Sequence, residues 1–70
     1  MNVYTNNAIW VVAASLDDAL QLAGESDRTG WREMHFTEMI HIRGIRGSRE
    51  EIQSAYYWIH KHGRGVLCSI

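Results

Sequence analysis

The first apolar segment of the chain covers residues 8–14, Ala-Ile-Trp-Val-Val-Ala-Ala. It is short, rich in β-branched side chains and bounded by polar residues, which is typical of a buried strand rather than a helix. Both sets of alternating positions along this strand are apolar. A further strand at residues 1–5 is an open alternative, with Asn6 and Asn7 as a hairpin turn, because asparagine tolerates positive φ.

The pattern then changes to that of a helix. Ser15 is a suitable N-cap, and two aspartates follow in the first turn, where negative charge favours the helix dipole. Apolar residues recur with helical spacing from Leu16 to Ala23, and Gly24 is a natural helix end. We therefore predict a helix of about three turns, followed by a polar loop over residues 25–30.

Residues 31–45 alternate with a period of two, which indicates a strand. Glu38 interrupts the apolar side of this strand, and a carboxylate is costly in a core. A bulge, a bend or the crossing point of two shorter strands is therefore expected near residues 37–38. The apolar side, which we expect to face the helices, carries Met34, Phe36, Ile40 and Ile42.

The last third of the chain predicts a turn, a second helix and a final strand. Gly44 to Gly47 suit a turn, and Ser48 with Glu51 has the spacing of a capping box. The buried stripe of the helix is expected at Ile52, Ala55, Tyr56 and Ile59, and Gly63 ends it after three basic residues, His60, Lys61 and His62. Residues 66–70 resemble a buried strand.

This order of elements predicts an α+β fold in a single domain over residues 1–70. We expect a small sheet of three to four mainly antiparallel strands, with two helices packed on one face, in the order β-α-β-(β)-α-β.

The opposite face of that sheet is expected to carry Trp10, Val12 and Met39. An uncovered sheet face with tryptophan and methionine is typical of an interaction surface. We therefore predict an oligomer interface at these three residues, either in a homodimer or against a partner protein. The alternative is that Trp10 and Trp58 fill a small core.

The composition indicates in which cellular compartment the protein is expected. Cys68 is the one cysteine and cannot form an internal disulfide, which favours a reducing compartment. No apolar run approaches the roughly 20 residues of a membrane span, and the first residues lack the basic flank of a leader. We expect a cytoplasmic protein. A formal net charge of -1 gives no overall electrostatic attraction to nucleic acid or to an anionic membrane.

Candidate catalytic and metal-binding residues are sparse. His35 and His41 lie about 20 Å apart on an extended strand, too far to share an ion. Cys68 sits in an apolar strand without an adjacent base. No phosphate-binding loop or nucleophile elbow is present in the sequence. We therefore expect no metal, no cofactor and no enzymatic activity.

Three arginines, Arg43, Arg46 and Arg49, precede the predicted second helix. Basic residues at a helix start suit a phosphate or an acidic surface; the alternative is that they pair with nearby glutamates. Residues 39–70 carry five basic and two acidic side chains, whereas residues 1–38 carry two and six. The consecutive aromatics of the second helix cannot all be buried. We predict partner binding through these arginines together with Tyr57 and Trp58.

Two resemblances bear on function. Gly44-Ile45-Arg46-Gly47 with the following helix and strand resembles the GxxG motif of KH nucleic-acid-binding modules, although KH domains place this loop between two helices. That resemblance implies binding to single-stranded nucleic acid.

Residues 9–20 form a strand, cap and helix that resemble small αβ proteins of phages and mobile elements, among them anti-CRISPR proteins. This second resemblance implies an inhibitor that occupies the surface of a bacterial defence complex, itself often a nucleic-acid-binding assembly, in the host cytoplasm. We expect such a protein-binding module, with the KH-like module as the alternative.

Overall fold

A computed structural model describes residues 1–42 and 51–69. Their elements are β1 Asn2–Thr5, β2 Ile9–Ala13, α1 Leu16–Ala23, β3 Arg32–Glu33, β4 Met39–Ile42, β5 Glu51–Ser54, α2 Ala55–His62 and β6 Gly65–Ser69. The strands form an antiparallel sheet of four, in the order β3-β1-β2-β6, and a second sheet made of β4 and β5. The predicted α+β class is confirmed.

The N-terminal hairpin forms as the sequence suggests. β1 and β2 pair antiparallel, with Val3 opposite Val12. In the turn, the Asn6 side chain accepts hydrogen bonds from the amides of Ala8 and Ile9. Asn7 adopts a positive φ of 71°. The two asparagines therefore make the tight connection by different means, one through its side chain and the other through its backbone.

Helix α1 has the ends that its sequence predicts. The Ser15 hydroxyl accepts a hydrogen bond from the Asp18 amide, which satisfies one of the free N–H groups of the first turn. Gly24 adopts the left-handed conformation and donates to carbonyls of the last turn. The helix has eight residues, a little over two turns rather than three.

The strand predicted over residues 31–45 is divided into two. β3 pairs with β1, while β4 leaves that sheet and pairs with β5. Between them a turn is closed by the Glu38 amide, which donates to the His35 carbonyl. Of the three alternatives for residues 37–38, the structure shows the third, in which the chain passes from one short strand to another.

The second helix begins later than predicted. Residues 51–54 form β5 instead of the first helical turn, because their backbone pairs with β4. Ser54 is the N-cap, and its hydroxyl accepts a hydrogen bond from the Tyr57 amide. The turn at residues 44–47 and the cap at Ser48 lie outside the described residues. Gly63 ends the helix as expected.

The two helices lie against opposite faces of the four-stranded sheet, which corrects the prediction that both pack on one face. Val11 and Ala13 of β2 pack with α1 residues, including Ala19. Val12, on the other face of the strand, shares a core cluster with Trp58 of α2. Because both faces of β2 are apolar, each buries its own helix.

The edges of the four-stranded sheet are irregular. β3 contributes two residues at one edge. At the other edge, β6 pairs with β2 through a register shift, so that Trp10 lies opposite Cys68 and Val11 opposite Val66. Leu67, between these partners, is the extra residue of a β-bulge. Within the described ranges, neither helix has the length and hydropathy to cross a membrane.

Candidate functional site

The hairpin of β4 and β5 separates buried from exposed side chains by simple alternation. Ile40 is 2% exposed and belongs to the core cluster, against which Ile42 also packs. Met39 and His41 point the other way and are exposed. Ile52 lies directly opposite His41, so it shares this outer face. The hairpin therefore presents apolar side chains on both of its sides.

Two exposed aromatic residues lie next to the hairpin in sequence, Phe36 before β4 and Tyr56 after β5. The Tyr56 amide donates to the Phe36 carbonyl at 2.9 Å, so these residues are neighbours at the base of the hairpin. We call Phe36, Met39, Ile52 and Tyr56 the hairpin face. Their exposed fractions are 55%, 57%, 46% and 58%.

Histidine rings lie against both aromatic members of the hairpin face. The His35 and Phe36 rings are stacked with their centroids 4.4 Å apart. The Tyr56 and His60 rings are tilted at the same distance, one helical turn apart. These contacts restrict the exposed rings, so less side-chain entropy is lost when a partner covers them.

The hairpin is held on the body of the protein by contacts to α2. The Ala55 amide donates to the Glu38 carbonyl at 2.8 Å. The Trp58 indole N–H donates to the Ile40 carbonyl at 3.4 Å. Together with the burial of Ile40 and Ile42, these bonds fix the orientation of the hairpin face.

Among the described residues, three charged side chains next to the hairpin face have partners within the chain: Arg32, Glu38 and Glu51. The Glu38 carboxylate accepts from the Arg32 guanidinium at 3.0 Å and from the His35 amide at 2.7 Å. These bonds lower the pKa of Glu38, with Arg32 the larger cause. A hydrogen bond to Glu51 raises the pKa of Tyr57. Since the hairpin face itself contains only apolar residues and a tyrosine, covering it requires little desolvation of charge.

Of the two aromatic residues predicted to bind a partner, one is buried and the other is partly exposed. Trp58 is 8% exposed and is a member of the core cluster, so its indole is covered by its own chain. Tyr57 is half-buried, packs against the same cluster and contacts Trp58 edge to face. The helical rotation of 100° per residue places Tyr56 on the exposed side instead.

The three residues of the predicted oligomer interface do not lie on one surface. Val12 is fully buried, and Trp10 packs half-buried against the core cluster. Their sheet face is covered by α2, contrary to the expectation of an open face. Met39 remains exposed, but on the separate sheet formed by β4 and β5. Phe36 is exposed too, whereas the alternation of residues 31–45 placed it toward the helices.

Arg43, Arg46 and Arg49 lie outside the described residues, as does the Gly44 to Gly47 loop. The elements on either side of this segment are the paired strands β4 and β5. A KH module would require helices there, so its topology does not match.

No group of three metal-ligating side chains occurs over residues 1–42 and 51–69. Burial raises the pKa of the Cys68 thiol, which disfavours the reactive thiolate.

Sequence reasoning missed Ile52 and Tyr56 as surface residues because both fit the apolar stripe of a longer helix. A signal for β4 was present, since Ile40 and Ile42 recur with a period of two. Its partner strand has no comparable alternation. Comparison with protein-family models, curated proteins and solved structures gave no match.

Proposed function

We propose that this protein is a non-enzymatic protein-binding module that acts by stoichiometric occupation of a partner surface, with the hairpin face as the contact. The observation that supports this most directly is the exposure of four large side chains, Met39 and Ile52 on the hairpin and Phe36 and Tyr56 next to it. Patches of this kind on small proteins are commonly binding sites. Aromatic residues and methionine are also the types enriched at protein interfaces.

The chemistry of the hairpin face favours a protein over a nucleic acid. Single-stranded nucleic acid is bound by aromatic stacking combined with a positively charged groove. The hairpin face has exposed aromatic rings but contains no lysine or arginine. Among the described residues, Arg32 lies close to it and is paired with Glu38. An apolar protein surface is therefore the better complement.

A more specific form of the proposal is inhibition of a bacterial defence complex in the host cytoplasm. It is supported by the resemblance of residues 9–20 to small phage and mobile-element proteins of the anti-CRISPR type. A rigid apolar face on a small domain suits this role, since blocking a surface requires binding but no chemistry.

The proposal is tested with one variant of the hairpin face and one matched control. Tyr56→Ser removes an exposed ring, whereas Val66→Ser changes an apolar residue that is 40% exposed and lies opposite Val11, on the α1 side of the sheet. Circular dichroism checks that both variants fold. A partner captured by the tagged wild type is expected to be retained by Val66→Ser. Its affinity for Tyr56→Ser is expected to fall about tenfold or more.

Titration against the captured partner separates occupation from turnover. Inhibition or binding should saturate near one protein per partner site. Progressive inactivation of the partner by trace amounts of protein would indicate catalysis and contradict the proposal. Tight binding of a single-stranded oligonucleotide with steep salt dependence would indicate a nucleic-acid-binding module instead.

The predicted arginine contact has its own variant. Reversing charge in Arg46→Glu should weaken capture by more than the loss of a rim ion pair, at most about 1 kcal/mol, if the arginines bind the partner. Unchanged affinity would restrict the contact to the hairpin face.

A further inference from the structure

We infer that β6 opens and closes as a unit at the edge of the four-stranded sheet, and that an ion pair between Arg64 and Asp18 is the clasp that keeps it closed. β6 is the outermost strand on its side, and its one neighbour in the described sheet is β2. Opening leaves the other strands in place and exposes the edge of β2, so the clasp controls when that edge is accessible to other chains. None of the residues involved belongs to the hairpin face.

β6 is held less firmly than the strand it pairs with. Its five residues are half-buried or exposed, whereas Val11 and Val12 of β2 are fully buried. Leu67 packs half-buried against the core cluster, and the register shift opposite Trp10 and Val11 interrupts the hydrogen-bond ladder. Local opening is expected where few apolar groups are buried and backbone hydrogen bonds are accessible to water.

Two glycines form a hinge at the start of β6. Gly63 and Gly65 have φ angles of 78° and 144°, and they lie on either side of Arg64. Glycine adopts such conformations without steric cost and regains the most backbone freedom when it is released. The chain can therefore change direction at this point, and the opening of β6 is favoured by the entropy that these two residues gain.

The clasp opposes this opening. The Arg64 guanidinium contacts both oxygens of the Asp18 carboxylate: Nε donates to Oδ2 at 2.9 Å, and Nη2 donates to Oδ1. The carboxylate is already held in the first turn of α1, because the Ala14 amide donates to it at 3.0 Å. The Asp18 side chain is only 16% exposed. A bidentate bond to an ordered, partly buried carboxylate is stronger than a typical surface ion pair.

The same turn of α1 contains a second ion pair that provides a matched control. The Asp17 carboxylate accepts a hydrogen bond from Arg28, and both side chains are exposed, at 76% and 60%. This pair joins α1 to the loop that follows it, so it stays intact when β6 opens. The clasp, in contrast, joins α1 to the hinge and must break for β6 to swing away.

Native-state hydrogen exchange, with the amides resolved by NMR in urea below the unfolding midpoint, tests the inference. Amides of β6 that bond to β2 are expected to exchange faster than those of β1 and to depend less on urea, because opening one strand exposes less surface than unfolding. Arg64→Gln should speed β6 exchange about threefold or more, since the clasp no longer opposes opening. Arg28→Gln should leave β6 exchange as in the wild type.

A salt series on the wild type gives the same test without a substitution. Salt screens the exposed side of the ion pair, so about 1 M sodium chloride should speed β6 exchange in the wild type and have little effect in Arg64→Gln. Should Arg64→Gln fail to fold, the wild-type series decides.

Three results would overturn the inference. Equal urea dependence of β6 and β1 amides would mean that β6 is released only when the whole protein unfolds. Unchanged β6 exchange in Arg64→Gln, or in the wild type at high salt, would mean that the ion pair does not hold the strand. Equal acceleration in Arg28→Gln would mean that any ion pair of α1 has this effect.

Discussion

Shortening Ile40 to valine is expected to destabilise the protein more than truncating its neighbour Met39 to alanine, although the second change removes more atoms. Ile40 is 2% exposed, whereas Met39 is 57% exposed. Loss of one buried methylene from an isoleucine costs about 0.5–1.5 kcal/mol. Truncation at an exposed site away from special features costs less than about 0.5 kcal/mol.

Losses of stability of this size leave the variants folded in the absence of denaturant, so they can be measured. At roughly 0.05–0.15 kcal/mol per residue, a chain of this length has about 3.5–10 kcal/mol of stability. A loss of about 1 kcal/mol then lowers Tm by about 4–8 °C. Ile40→Ala, at about 2–5 kcal/mol, approaches the whole stability and is the poorer probe.

Urea denaturation followed by tryptophan fluorescence provides the assay, because Trp58 lies in the same core cluster as Ile40. Ile40→Val should shift the midpoint without changing the slope, and Met39→Ala should leave both nearly unchanged. A larger loss for Met39→Ala than for Ile40→Val would mean that the hairpin is turned the other way. The definition of the hairpin face would then be wrong.

Three further changes probe the rest of the fold. Ser15→Ala should cost about 1 kcal/mol through loss of the α1 cap, and an unaltered thermal melt would argue against that cap. The Arg64 side chain and the Ala14 amide lower the pKa of Asp18 from 3.8 to about 2. The contribution of Asp18 to stability is therefore present above about pH 4 and is lost as the pH falls toward 2. Asp18→Asn should flatten the acid-unfolding profile in that range, and a profile identical to that of the wild type would refute this. Cys68 should react with a disulfide reagent more slowly in the folded protein than in urea, because burial raises its pKa; equal rates would show that the thiol is freely accessible.

Local signals in the sequence were sufficient where neighbouring residues determine the structure. The cap at Ser15, the end at Gly24 and the turn at Asn6 and Asn7 all depend on contacts within a few residues. Their hydrogen bonds are made by the side chains and backbone conformations that the sequence itself specifies, so the first 24 residues follow their pattern closely.

The hairpin could not be predicted in the same way, because its second strand has no pattern of its own. Residues 51–54 include two good helix formers, Glu51 and Gln53, and fit the stripe that continues into α2. Pairing with β4, which lies more than eight residues earlier, decides their conformation. The position of Tyr56 follows from that change in helix start.

The burial of Trp58 depends on contacts that are distant in sequence. Its cluster joins residues from β1, β2, β4 and α2, including Val3. Consecutive aromatics on a helix indicate that some are exposed, but which one is buried depends on how the helix is rotated against the sheet. That rotation is set by tertiary packing, and the sequence pattern does not report it.

The irregular edges of the four-stranded sheet affect the tendency of the protein to aggregate at high concentration. Long, flat edge strands recruit further strands and so begin edge-to-edge aggregation and fibril growth. β3 offers two residues for such pairing, and Leu67 interrupts the ladder of β6. Repeated strand addition is thereby disfavoured at both ends of this sheet. Removing Leu67 to straighten β6 is expected to promote amyloid-type assembly, visible as increased thioflavin fluorescence in concentrated solution.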